Sequence, residues 1–169
     1  MQQVLRLFIA AIAAVALIHF SGLVSAQSPV KQIKLSEKQI EGFIAAHKDM
    51  AAVTDKIQSD KPDPAIQQQL EGISKKFGFK SFDDYDDVAS NIALVMAGMD
   101  PQTKAFTDPP TAIKREIDEV TADKSIPEKE KKTMLDELAE AMKMAQPIQH
   151  QGNIDLIKKY YDRLEPLLQ

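Results

Sequence analysis

Two histidines, one acidic cluster and six methionines are the side chains beyond residue 26 that could do chemistry. His47 falls on an apolar helical stripe between Phe43/Ile44 and Met50/Ala51. One reading is a half-buried imidazole bonded to a backbone group or a carboxylate; the other is a ligand or pH-sensitive group lining a pocket. His150 lies in the loop from Pro147 to Asn153 and reads as solvated. Asp83, Asp84, Asp86 and Asp87 form the densest acidic patch. Acids in a first helical turn complement the positive end of the helix dipole. A hard-cation site is the alternative, but the glycine and terminal glutamate of an EF-hand ladder are missing. Met96 with Met99, and Met142 with Met144, could offer soft sulfur to Cu(I). Met96, Met99 and Met142 sit on core faces, where methionine fills gaps; Met144 leans off its stripe.

Other chemistries lack their parts. Cysteine is absent, which removes thiol catalysis, thiolate zinc sites and iron–sulfur clusters. No serine sits in a Gly-x-Ser-x-Gly elbow. Three serines, Ser36, Ser81 and Ser125, look like helix caps instead. Gly78 and Gly98 are isolated and read as helix ends, not phosphate loops. The pairs Lys75-Lys76 and Lys158-Lys159 read as solvated charge. The sequence therefore assigns no catalytic residue, no metal and no cofactor.

The elements that must position these groups are helical. Ser36 with Gln39 is a capping box, followed by Ile40, Phe43, Ile44, Met50, Val53 and Ile57 at helical spacing, so a first helix is expected over about 37–58. Residues 59–64 are a hinge with two prolines. Asp63 can cap a second helix with Pro64 at its first position; Ile66, Leu70, Ile73 and Phe77 form its stripe, and Gly78 suits a left-handed exit. Ser81 with Asp84 opens a third helix, apolar over a wide arc near Ile92–Met96 and so the expected central element. A loop over 100–110 precedes a short helix bearing Ile113, Ile117 and Val120. Ser125 with Glu128 is a third capping box, with Pro127 inside the first turn, for a helix reaching about Gln146. A last helix carries Ile154, Ile157, Tyr161, Leu164 and Leu168. No segment alternates as a strand does. The expected fold is all-α: a single-domain bundle of about six helices with short connections.

The first 26 residues have the layout of a cleaved secretory signal. One arginine, Arg6, precedes an apolar run from Leu7 to Leu17, and Val24-Ser25-Ala26 offers small residues before the cut. The run is shorter than the roughly 20 apolar residues of a membrane span. The expected organisation is a signal peptide over 1–26, an exposed N-terminal arm over 27–35 and a helical domain over 36–169. Cleavage after Ala26 takes 26 of 169 residues and leaves 143, in the periplasm or outside the cell, without a stable membrane anchor. It removes one base and no acid, so the net charge moves from −4 to −5. That balance argues against nucleic acid, which attracts a basic face. Tryptophan is absent, which disfavours sugar clefts.

The stretch Phe77-Gly78-Phe79-Lys80-Ser81-Phe82-Asp83-Asp84-Tyr85, and then Asn91 to Pro101, resembles a pattern in small exported helical proteins of alphaproteobacteria. The resemblance spans about residues 36–168 and rests on cap and core positions. It implies a periplasmic setting and carries over no functional residue. In size, helicity and lack of cysteine the chain is also similar to periplasmic chaperones of the Spy type. It lacks their Leu-Thr-x-x-Gln signature, and its negative charge contrasts with their basic concave surface.

Two classes of function follow. The first is a non-catalytic envelope protein that binds a partner protein or a small apolar ligand in a groove between helices. The groove would be lined by His47, Ile92, Val95, Met96 and Met99, with the 100–110 loop as its cover. A Spy-like periplasmic chaperone is a further alternative. The second is a carboxylate-based or metal-assisted hydrolase, which needs two acids facing across a cleft with pKa values pushed apart.

Overall fold

The computed structural model describes residues 30–54 and 63–168. The expected leader (1–26), the end of the first helix and the residues before Asp63 lie outside them. The described chain forms six α-helices: α1 (Glu37–Thr54), α2 (Pro64–Lys76), α3 (Phe82–Met96), α4 (Pro109–Ala122), α5 (Glu128–Met144) and α6 (Gly152–Leu164), with a 3-10 turn over Glu165–Leu167. Among the described residues the only β pairing is an isolated antiparallel bridge, Met99 to Phe106. The architecture is the all-α single-domain bundle that the periodicity implies.

Side-chain caps set three of the six helix starts. The Ser36 amide donates to Gln39 Oε1 (3.0 Å) and the Gln39 amide to Ser36 Oγ (3.3 Å), a complete capping box. Asp63 Oδ1 accepts from the Ala65 amide at 2.8 Å, with Pro64 opening α2. Ser81 Oγ accepts from the Asp84 amide, while the Asp84 carboxylate reaches back one residue further, to the Lys80 amide. Gly78 leaves α2 at a φ of 92°, where an L side chain would be strained. The capping box expected at Ser125 is not formed. Asp123 captures both the amide and the hydroxyl of Ser125, at 2.7 and 2.6 Å. The helix starts two residues later, with Pro127 at its N-cap position rather than inside the first turn.

α3 is the central element, as its wide apolar arc implies. Val88, Ile92 and Val95 are buried there among Ile40, Phe43, Met50 and Val53 of α1, Leu70 of α2, and Ile157 and Leu164 of α6. Phe43, Phe79 and Phe82 surround the Tyr85 ring at centroid distances of 5.2–6.2 Å. At Gly42 the turn after α2 comes so close that a Cβ would lie 2.9 Å from the Phe77 carbonyl oxygen. Glu41 clamps Arg163 through two bonds (2.6 and 2.7 Å), and Glu37 meets Lys159 at 2.8 Å, tying α1 to α6 across the Tyr160 ring.

The described residues build two hydrophobic clusters, not one. Helices α4 and α5 pair as a hairpin around Ile113, Val120 and Leu138, with Ile117, Ile126, Met134, Leu135 and Met142 half-buried against them. This small core is separate from the one around α3. Met144, at the end of the hairpin, is 49% exposed. The hairpin's two ends are joined where Asp108 Oδ1 accepts from the Ile148 amide at 2.9 Å.

The arm expected to be exposed over 27–35 is corrected for its described part. Residues 30–35 lie against the bundle. Leu35 is buried in the main core, Ile33 packs against it, and only Lys31 and Lys34 are exposed.

Candidate functional site

An extended segment laid across helices has a bonding problem. Helices use their own amides and carbonyls internally, so the segment's backbone groups have no ladder to join, yet buried ones must be satisfied. Two asparagines solve this for residues 31–35. Asn91 projects from α3: its Oδ1 accepts from the Ile33 amide (3.0 Å) and its Nδ2 donates to the Lys31 carbonyl (2.8 Å). Asn153, in the first turn of α6, repeats the pattern two residues on. Its Oδ1 accepts from the Leu35 amide (2.9 Å) and its Nδ2 donates to the Ile33 carbonyl (2.8 Å). Each amide brackets one residue of the segment, Gln32 and Lys34, as a parallel neighbouring strand would.

A third bracket faces the other way. The Gln32 side chain donates to the Pro147 carbonyl (2.9 Å) and accepts from the Gln149 amide (2.8 Å), bracketing Ile148. It also donates to Gln146 Oε1 at 3.2 Å. The segment therefore links α3, α6 and the connection that leaves the hairpin. Asn91 and Asn153 are 2% and 3% exposed, which removes water as a competitor for these bonds. At the segment's outer end Lys31 pairs with Asp87, and that contact holds the ammonium above the ordinary lysine range.

The groove contacts backbone. Its four bonds from Asn91 and Asn153 fall on main-chain groups, while Ile33 and Leu35, two residues apart, pack on the core. Amides neither gain nor lose protons near neutral pH, so the arrangement is suited to holding a chain.

The residues singled out by the sequence fall close by, in another role. Ile92 and Val95 are 0% and 1% exposed, and Met99 7%, as filled core; Met96 packs against the same cluster. Phe106 of the 100–110 loop packs there as well, while Lys104 of that loop adopts a left-handed backbone and bonds Asp162 at 2.7 Å. His47 is half-buried on α1, its ring 6.2 Å from that of Phe43. His150, expected to be solvated, is half-buried, and its carbonyl accepts from the Asn153 amide. Asn91 was hidden in the sequence as a polar interruption of the stripe Val88–Ile92–Val95, and Asn153 as a residue that restarts the chain.

Of the aspartate cluster, Asp84 bonds the Lys80 amide and Asp87 pairs with Lys31. Burial, then Asp87 and Asp83, push the Asp86 carboxyl up. Burial raises Tyr85 to about 12, with the Asp86 charge adding to it. On α4 burial and Glu119 raise Glu116. Among the described residues no three histidine, aspartate or glutamate side chains converge as metal ligands do. An open depression of about 540 Å³ is lined by Thr133, Asp136, Glu137, Ala139 and Glu140. All five belong to α5, so it has one wall. No described helix is long and apolar enough to cross a membrane.

Compared with known family profiles, with characterised proteins and with solved structures, the chain matches none.

Proposed function

We propose that this is a non-catalytic protein working outside the cytoplasm, which binds a partner protein by holding an extended stretch of it in the groove between α3 and α6. One observation carries the reading: two buried asparagines already grip an extended chain there, through its backbone. A groove that satisfies main-chain groups through side-chain amides takes a polypeptide in β-like form, much as an open sheet edge does. The leader-like first 26 residues support the compartment. Of the two ligands the groove idea admits, a polypeptide fits these contacts better than a small apolar molecule, because Ile92, Val95 and Met99 are enclosed by neighbouring side chains.

The test uses the chain beginning at Gln27 and a permanently unfolded probe, reduced and carboxymethylated α-lactalbumin. Isothermal titration should show saturable binding. Absence of heat and of co-sedimentation at 100-fold excess of probe refutes the reading.

A further inference from the structure

The segment that fills the groove belongs to the protein itself, and this has a consequence for what else can enter. Resting on the reading just given, we infer that residues 31–35 are a built-in competitor. The groove's external ligand is then a polypeptide segment of the same pattern, with aliphatic side chains two residues apart and a basic residue two before the first.

The pattern follows from the contacts. Bonds to the Lys31 carbonyl, to both backbone groups of Ile33 and to the Leu35 amide fix an extended conformation with a two-residue repeat. That repeat puts Ile33 and Leu35 on one side, and both pack on the main core. Leu35 is 5% exposed, whereas Lys31 and Lys34 are exposed. The lysine preference comes from Asp87, which pairs with Lys31 at the groove's outer end. An incoming chain with this spacing can remake every one of these contacts, so exchange replaces like with like. A chain with adjacent aliphatics places one of them in solvent, because successive side chains in an extended segment point to opposite sides.

Competition also sets the affinity. A ligand that binds only the vacated groove has its apparent dissociation constant raised by the inverse of the vacated fraction. Weakening the internal segment therefore strengthens external binding, whereas a purely structural segment, once weakened, only destabilises the protein.

The probe is a fluorescein-labelled heptapeptide copying residues 30–36, Val-Lys-Gln-Ile-Lys-Leu-Ser. The control has the same composition with adjacent aliphatics, Val-Lys-Gln-Lys-Ile-Leu-Ser. Fluorescence anisotropy is measured on the full mature chain and on Ile33→Ser. The expected result is binding to Ile33→Ser at least about tenfold tighter than to the unaltered chain, with the control peptide failing on both. Equal affinity for both proteins overturns the competitor role. So does failure to bind an Ile33→Ser protein that keeps its helical circular dichroism. Should that variant unfold, amide hydrogen exchange of the unaltered chain decides. The Ile33 and Leu35 amides must exchange through an opening faster than global unfolding, and exchange only at the global rate refutes the inference. Binding of carboxymethylated α-lactalbumin that ignores Ile33→Ser removes the competitor role while leaving the groove; no binding of either probe removes both.

Discussion

Asn153→Ala strips one bracket from the docked segment and leaves the Leu35 amide and the Ile33 carbonyl without their partners. A buried polar group left unsatisfied costs about 1–3 kcal/mol. Two of them put the loss at about 2–6 kcal/mol, a large share of the roughly 5–15 kcal/mol by which domains are stable. The loss has a ceiling. Once it exceeds the docking free energy of the segment, residues 31–35 peel away and the two groups return to water. The expected outcome is a loss of about 2–4 kcal/mol, read from urea unfolding followed by circular dichroism, since the chain has no tryptophan.

Asn153→Asp sharpens the test because it preserves shape. One oxygen still accepts from the Leu35 amide, but the other now faces the Ile33 carbonyl with no proton to donate. Burial raises a carboxyl's pKa, since it penalises the charged form. A folded-state pKa above the unfolded one costs stability at pH above the folded value, and the cost fades as pH falls through it, where the neutral acid can donate to Ile33. The variant should therefore lose as much as the alanine change near pH 7 and regain part of it near pH 5. A loss below about 0.5 kcal/mol for Asn153→Ala, the range of ordinary surface changes, refutes the bracket argument. So does an Asn153→Asp penalty that does not change with pH.

Three further outcomes follow from the geometry. Gly72→Ala, where a Cβ meets nothing within 4 Å, should stabilise by about 0.5–1 kcal/mol through helix propensity. Gly42→Ala should destabilise despite the same propensity gain, because its Cβ meets the Phe77 carbonyl oxygen at 2.9 Å; thermal melts of the two variants should move in opposite directions. Native-state hydrogen exchange should show the α4–α5 hairpin opening at lower free energy than α3, since its own core has only Ile113, Val120 and Leu138 fully buried; equal protection of both would refute this. Hydrogen bonds hold the Glu37, Glu41, Glu71, Asp100 and Asp123 carboxyls below their ordinary values, mainly from Lys159, Arg163, Lys75, Thr103 and Ser125 respectively. Their stabilisation is complete above those ordinary values, 4.5 for glutamate and 3.8 for aspartate, and is lost as pH falls through the depressed ones. Asp86 and Glu116, shifted up, act oppositely. With five against two, the urea midpoint should hold from pH 7 to about 5 and fall below about 4; a midpoint that rises on acidification refutes the balance.

What the sequence made legible was local. Ser36 with Gln39 is a reciprocal box and Asp63 before Pro64 a one-way cap on the Ala65 amide; each is complete within four residues, and both form as read. Ser125 shows how such a pattern loses: Asp123, two residues away, bonds both donors of Ser125 before Glu128 can use them. Stripes gave the inward faces but not the pairing, because a periodic apolar face does not say which helix will cover it. Hence Ile113, Val120 and Leu138 looked like more of one core and instead form a second. The docked segment was illegible for a related reason. Its partners lie 58 and 118 residues away, and an asparagine within an apolar stripe reads as a defect until the chain it satisfies is in view.

That last point gives a rule with physical content. A helical bundle that buries an extended chain can satisfy it with donor and acceptor together on one side chain, at a spacing that spans a carbonyl and the amide two residues later. Asparagine and glutamine offer both at once; carboxylates and ammonium groups offer one. Asn91, Asn153 and Gln32 all make that span here, on Gln32, Lys34 and Ile148 in turn. Because the contact is with main-chain groups, it fixes conformation and leaves residue choice to the two aliphatic positions. Under the proposed exchange, such a groove would discriminate by spacing, which is why the heptapeptide control keeps every residue and changes only the order.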